Sequence, residues 1–188
     1  YVDRLGYTHF EGTQRRFLAS RFGTLSNQAY TQRYQAMVQS TASLGFDVNF
    51  APVADLDTNP DNPIIGKLGR SYGKTAADAN ALLPWLVDTP NRAGVSTSFK
   101  HFPGHGSSTT DSHLGFTEVT SGWQPAELEP YRLLVSRQSE MPRTAVMVGH
   151  LVHEGLDGNR LPASLSPQMI GGLLRQQIGF SGAVISDD

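Results

Sequence analysis

Val95–His113 reads VSTSFKHFPGHGSSTTDSH. Its first five residues form a short run rich in apolar and β-branched side chains, the composition of a strand. Lys100 and His101 follow at once, and beyond a Pro-Gly turn come His105, Asp111 and His113. A strand that ends in a cluster of reactive side chains places chemistry at one end of a sheet. Whether other strands end the same way decides the fold.

They do. Similar runs occur at Asp47–Val53 (DVNFAPV), Ala145–Val148 (AVMV) and Gly182–Ile185 (GAVI). Asp55 follows the first of these by two residues, Gly149 and His150 follow the second, and Ser186 and Asp187 follow the third. Helical spacing fills the intervals: Tyr30, Tyr34, Met37, Val38 and Leu44; then Leu128, Tyr131, Leu134 and Val135; then Ile170, Leu173 and Leu174. The last helix has Ser166 as its expected N-cap and Pro167 at its first position. Residues 75–88 also read as a helix, bent or restarted at Pro84.

Strand starts roughly 35 to 50 residues apart, with a helix between, are βαβ units of a parallel sheet. An open doubly wound sheet would gather its ligands at one switch point, whereas a barrel draws one or two side chains from many strands. The distributed pattern predicts α/β architecture of the (β/α)8 TIM-barrel type. Residues 1–188 are expected to be a single barrel domain that is incomplete, with its first strand and last βα units missing.

Composition narrows the function. The chain has 15 basic and 17 acidic residues, a formal charge of -2, and no run of five like charges, so no nucleic-acid partner is expected. No apolar stretch approaches the length of a membrane span, and no membrane partner is expected. The absence of cysteine excludes disulfides, thiolate metal sites and a cysteine nucleophile, while leaving the compartment open. Neither GxGxxG nor GxxxxGK[ST] follows any strand, which removes support for nucleotide binding.

Two chemistries compete for the histidine cluster. His101, His105, Asp111 and His113, with His150 and Asp187 from later strands, offer nitrogen and oxygen ligands to a metal, at a spacing that matches neither HExxH nor HxHxDH. Alternatively, Asp111 two residues before His113 can accept the ring N–H and raise the basicity of the other nitrogen, making a proton shuttle. Asp187 would then serve as a nucleophile or as a stabiliser of a cation, which suits glycoside cleavage.

KHFPGHGSSTTDSH together with the terminal LLRQQIGFSGAVISDD resembles glycoside hydrolase family 3, in its bacterial β-N-acetylhexosaminidase branch, and FAPVADLDTNPDNPIIGKLGRSYG at residues 50–73 resembles that branch's third-strand loop. The resemblance implies a retaining exo-β-N-acetylhexosaminidase that releases terminal N-acetylglucosamine from peptidoglycan fragments or related oligosaccharides through a covalent glycosyl-enzyme. It implies Asp187 as nucleophile and His113, paired with Asp111, as general acid/base. Lys100, His101 and Arg70 would contact sugar hydroxyls, and no metal or organic cofactor is implied. The sequence departs from the family's DxEGGxxxR loop, where it reads VDRLGYTHFEGTQRR, with Asp3, Arg15 or Arg16 as counterparts. A β-glucosidase-type activity and a non-catalytic sugar-binding role are the alternatives.

Plainer roles are expected elsewhere. Asp55 precedes the Pro- and Asn-rich TNPDNP loop, where carboxylates make Asx-turns. His105 is expected to be held by its Gly-Pro loop and Asp188 to cap a helix. His150 divides evenly between packing and substrate contact.

Overall fold

The computed structural model describes residues 27–110, 115 and 117–188. Four strands form one parallel sheet in the order β1 (Val48–Asn49), β2 (Ser96–Phe102), β4 (Thr144–Val148) and β6 (Val184–Ser186). Val48 pairs with Ser96, Thr97 with Thr144, and Val146 with Val184. β3 (Thr117–Glu118) and β5 (Leu151–Val152) make a separate parallel ladder. Parallel neighbours need a crossover, and helices supply it. α1 (Asn27–Ser43) precedes β1; α2 (Ala76–Asn80) and α3 (Leu83–Arg92) separate β1 from β2; α4 (Glu129–Ser136) lies between β2 and β4. α5 (Glu154–Asp157) and the π-helical α6 (Gln168–Ile178) lead from β4 to β6. Among the described residues β1 and β6 are the outer strands, so the arrangement is an α/β half-barrel with a parallel sheet, and a closed (β/α)8 barrel is not formed.

Strand limits differ from those expected, each for a local reason. In place of Asp47–Val53 the ladder runs for Val48–Asn49 and resumes as one bridge from Val53 to Lys100, because Pro52 has no N–H to donate between them. β2 extends three residues past Phe99, with a register shift between Phe99 and Phe102, so Lys100 and His101 belong to the strand itself. The expected helix at 75–88 is two helices. Thr75 Oγ1 accepts from Asp78 N at 3.2 Å to cap the first, and Pro84 stands in the opening turn of the second, where its missing N–H costs nothing. Ser166 does cap α6, accepting from Met169 N at 3.0 Å.

The core lies between this sheet and its helices. Phe99 and Phe102 of β2 meet Tyr131 of α4 edge-on, with ring centroids 6.5 and 5.1 Å apart, and all three are buried. Tyr34, Met37 and Val38 of α1 pack into the same cluster as Leu83, Leu86 and Val87 of α3, and the Tyr34 hydroxyl donates to Leu86 O at 2.6 Å. Met169, Leu173 and Leu174 complete it from α6. Arg175 ties the end of α6 to the turn before β6, donating to Phe180 O at 2.8 Å and Gly182 O at 2.6 Å. That link fixes where β6 starts, and hence where Asp187 ends up. No helix among the described residues is long and apolar enough to cross a membrane.

Candidate active site

Reactive side chains collect where the parallel strands end. Asp55 follows the Val53 bridge, Lys100 and His101 close β2, His150 follows β4, and Asp187 and Asp188 follow β6. Backbone pairing sets their heights: Ala54 N donates to Lys100 O at 2.6 Å, Gly149 N to Phe102 O at 3.0 Å, and Asp187 N to Val148 O at 3.0 Å.

Asp55 and His101 are the buried centre of this arrangement. Asp55 Oδ2 accepts from His101 Nδ1 at 2.6 Å, while Oδ1 accepts from the backbone N–H of His101 at 3.0 Å and of His105 at 2.7 Å. Burial pushes the Asp55 carboxyl up, but the charge and hydrogen bond of His101, helped by His105, outweigh it and hold the pKa at about 2. An ionised carboxylate can only accept, so the His101 ring carries its proton on Nδ1. Its Nε2 then faces Asp187 Oδ2 at 3.8 Å. That distance lies beyond a hydrogen bond. The Asp187 side chain retains 12% exposure, so the carboxylate can meet a ligand while remaining largely shielded. Its Oδ1 accepts from Asp188 N at 3.2 Å.

Cations stand nearby. Burial lowers the pKa of Lys100, and Arg70 lowers it further, against the opposing pull of Asp187, Asp55 and Asp188. Arg70 is held by donation from Nη1 to Ile64 O at 3.2 Å. His105 is fully buried, its Nδ1 is 2.7 Å from Ser108 Oγ, and burial lowers its pKa. His150 is engaged at both nitrogens, with Ser164 Oγ 2.6 Å from Nδ1 and Asp188 O 3.1 Å from Nε2. The carbonyl fixes Nε2 as donor and leaves Nδ1 to accept from the hydroxyl.

Lys100, His101, Arg70 and Asp187, each expected from the sequence, stand together, and His150 bonds the backbone beside Asp187. Asp111 and His113 lie outside the described residues, as do Asp3, Arg15 and Arg16. Asp55 is more than the Asx-turn expected of it, since its carboxylate orients His101. Two further residues went unnoticed: Asn62, whose side chain holds the His105–Ser108 turn, and Glu127, buried against the same turn. Of the metal reading, no group of three or more metal-binding side chains is arranged for an ion among the described residues.

At the strand ends of this parallel half-barrel the His101 imidazole thus stands between two carboxylates, Asp55 at 2.6 Å and Asp187 at 3.8 Å. The chain belongs to the family described as glycosyl hydrolase family 3, N-terminal domain, which it matches over residues 13–188. A β-hexosaminidase of Shewanella frigidimarina is 33% identical over 168 residues, covering 88% of this chain and 47% of that protein. The β-hexosaminidase LpqI of Mycobacterium tuberculosis is 40% identical over 152 residues, 77% of this chain and 37% of that protein. The solved structure of a glycoside hydrolase family 3 β-N-acetylglucosaminidase from Paenibacillus sp. superposes with a TM-score of 0.74 at 36% identity, covering 82% of this chain and 29% of that one. The chain thus spans less than half the length of each of these relatives.

Proposed function

We propose that this chain carries the catalytic residues of a retaining exo-β-N-acetylhexosaminidase, working in a full-length protein whose sheet closes as a (β/α)8 barrel. The observation that carries the reading is the position of Asp187: at the end of β6, partly exposed, and 3.8 Å from an imidazole that Asp55 holds in one tautomer. The naming of its relatives as β-hexosaminidases and β-N-acetylglucosaminidases supports the sugar.

In the proposed reaction Asp187 attacks the anomeric carbon as the glycosidic C–O bond breaks, and His113, oriented by Asp111, delivers a proton to the departing oxygen. The same histidine then takes a proton from water, which displaces Asp187 and releases the sugar with retained configuration. Lys100, His101 and Arg70 hold sugar hydroxyls, and His150, fixed at both nitrogens, forms a rigid wall beside them. No step uses a metal or an organic cofactor. The substrates are oligosaccharides that end in N-acetylglucosamine, such as peptidoglycan fragments or chitin-type chains.

Hydrolysis of paired chromogenic β-N-acetylglucosaminide and β-glucoside, with and without chelator, tests the reading. Faster, chelator-insensitive cleavage of the acetamido sugar supports it. Preference for the glucoside would move the protein to the β-glucosidase-type alternative, and binding without turnover by the full-length protein would make it a sugar-binding module.

A further inference from the structure

The dipeptide His105–Gly106 is saturated by three side chains from three parts of the chain. His105 N donates to Asp55 Oδ1 at 2.7 Å, and the next amide, Gly106 N, donates to Glu127 Oε2 at 3.1 Å. Both carbonyls accept from one Asn62 Nδ2, His105 O at 2.7 Å and Gly106 O at 3.1 Å. Ser108 Oγ lies 3.0 Å from the same nitrogen, so its two hydrogens are shared among three acceptors, while Oδ1 accepts from Ile64 N and Ile65 N at 3.0 and 2.9 Å. Asn62 and Glu127 are buried, at 0% and 1% exposure.

The fit leaves no slack. A Cβ on Gly106 would stand 1.7 Å from Leu56 O, and one on Gly104 would stand 2.6 Å from Glu127 Cβ. Because one Asp55 oxygen accepts from both His101 N and His105 N, any shift of the dipeptide pulls on the carboxylate that orients the His101 ring. We infer that Glu127 and Asn62 are positioning residues: they clamp His105–Gly106 and thereby fix Asp55 and the aim of His101 at Asp187. Neither touches the reacting atoms.

Glu127 gives the clamp a signature. Its Oε1 accepts from Gln124 N at 3.3 Å as Oε2 accepts from Gly106 N, so both oxygens face donors and a proton on either makes that oxygen the weaker acceptor. The titratable groups facing it are Asp55, from the segment after the β1 ladder, and Tyr131, from α4. The Tyr131 hydroxyl is buried and without a hydrogen-bond partner among the described residues. Burial first, and then the Asp55 charge, push the Glu127 carboxyl up to about 7. Ionisation therefore strengthens the two bonds that Glu127 accepts as pH rises through its titration, while the buried charge costs global stability.

The inference rests on the proposed function for its activity readout, and the test keeps the two apart. Glu127→Gln in the full-length protein is compared with wild type for kcat/KM across pH and for hydrogen exchange at the His105 and Gly106 amides. The expected result is a loss of up to about 10²-fold, as misplacement of supporting groups produces, with the wild-type-to-variant ratio growing as pH rises through the Glu127 titration, and faster exchange at both amides. A pH-independent ratio with unchanged exchange would overturn it. If Glu127→Gln does not fold, Asn62→Asp, which keeps the bonds to Ile64 N and Ile65 N, decides instead: wild-type kcat/KM with wild-type exchange contradicts the clamp. If wild type hydrolyses no glycoside, the proposed function fails while amide exchange alone still judges the clamp.

Discussion

Asp55 and His101, 46 positions apart in sequence, meet in a 2.6 Å hydrogen bond with both side chains almost fully buried. The pair turns a strand-end histidine into an oriented group whose other ring nitrogen, Nε2, stands 3.8 Å from Asp187 Oδ2.

Removing the carboxylate leaves three buried N–H groups without an acceptor: His101 Nδ1, His101 N and His105 N. Breaking one partner of a buried charged pair typically costs roughly 3–5 kcal/mol. Asp55→Ala should lose about that much in urea denaturation, and Asp55→Asn less, because its remaining oxygen still accepts. An Asp55→Ala variant as stable as wild type would mean that the pair is not formed in solution.

The two buried carboxyls predict opposite pH dependences of stability. Asp55 is depressed from 3.8 to about 2, so its contribution is present above 3.8 and is lost as pH falls through about 2. At 1.36 kcal/mol for each unit, it amounts to about 2 kcal/mol. Glu127 is raised from 4.5 to about 7, so its contribution is present below 4.5 and is lost as pH rises through about 7. Denaturation midpoints of Glu127→Gln relative to wild type should therefore improve between those two values, and a constant difference would contradict the burial of an ionisable Glu127.

Gly106→Ala places a methyl group 1.7 Å from Leu56 O, which only backbone movement can relieve. Overpacking typically costs 1–3 kcal/mol, and this case should sit at roughly 3 kcal/mol or above. Gly94→Ala meets no atom within 4 Å but has φ +86, so it tests strain alone and should cost less.

His113→Ala should lower turnover by roughly 10²- to 10⁴-fold, the usual worth of general acid/base help. The loss should be smallest for substrates with good leaving groups, which need little protonation. Equal turnover of good and poor leaving groups at the wild-type rate would remove His113 from the reaction.

The strand-end residues were legible in the sequence because each stands beside its own strand: Lys100 and His101 on β2, His150 after β4, Asp187 after β6. Alternating strands and helices also foretold the parallel order. Strand limits were less legible, because Pro52 and the shift between Phe99 and Phe102 act through pairing with neighbours rather than through composition. The supporting residues could not be seen at all from local pattern. Asn62 sits in a loop that reads as turn-forming, and Glu127 reads as an acidic residue in a helix's first turn; each keeps such local bonds, yet the partners that matter here lie more than 20 positions away. One signal was available for Asp55: it lies at the same place relative to its strand as the residues that were singled out.

Trapping the covalent intermediate decides whether Asp187 is the nucleophile. The full-length protein would be incubated with a 2-fluoro glycosyl donor that forms the glycosyl-enzyme faster than water removes it, then digested and mapped by mass spectrometry. One added sugar is expected on Asp187, abolished in Asp187→Ala. An adduct on any other residue would contradict Asp187 as the nucleophile.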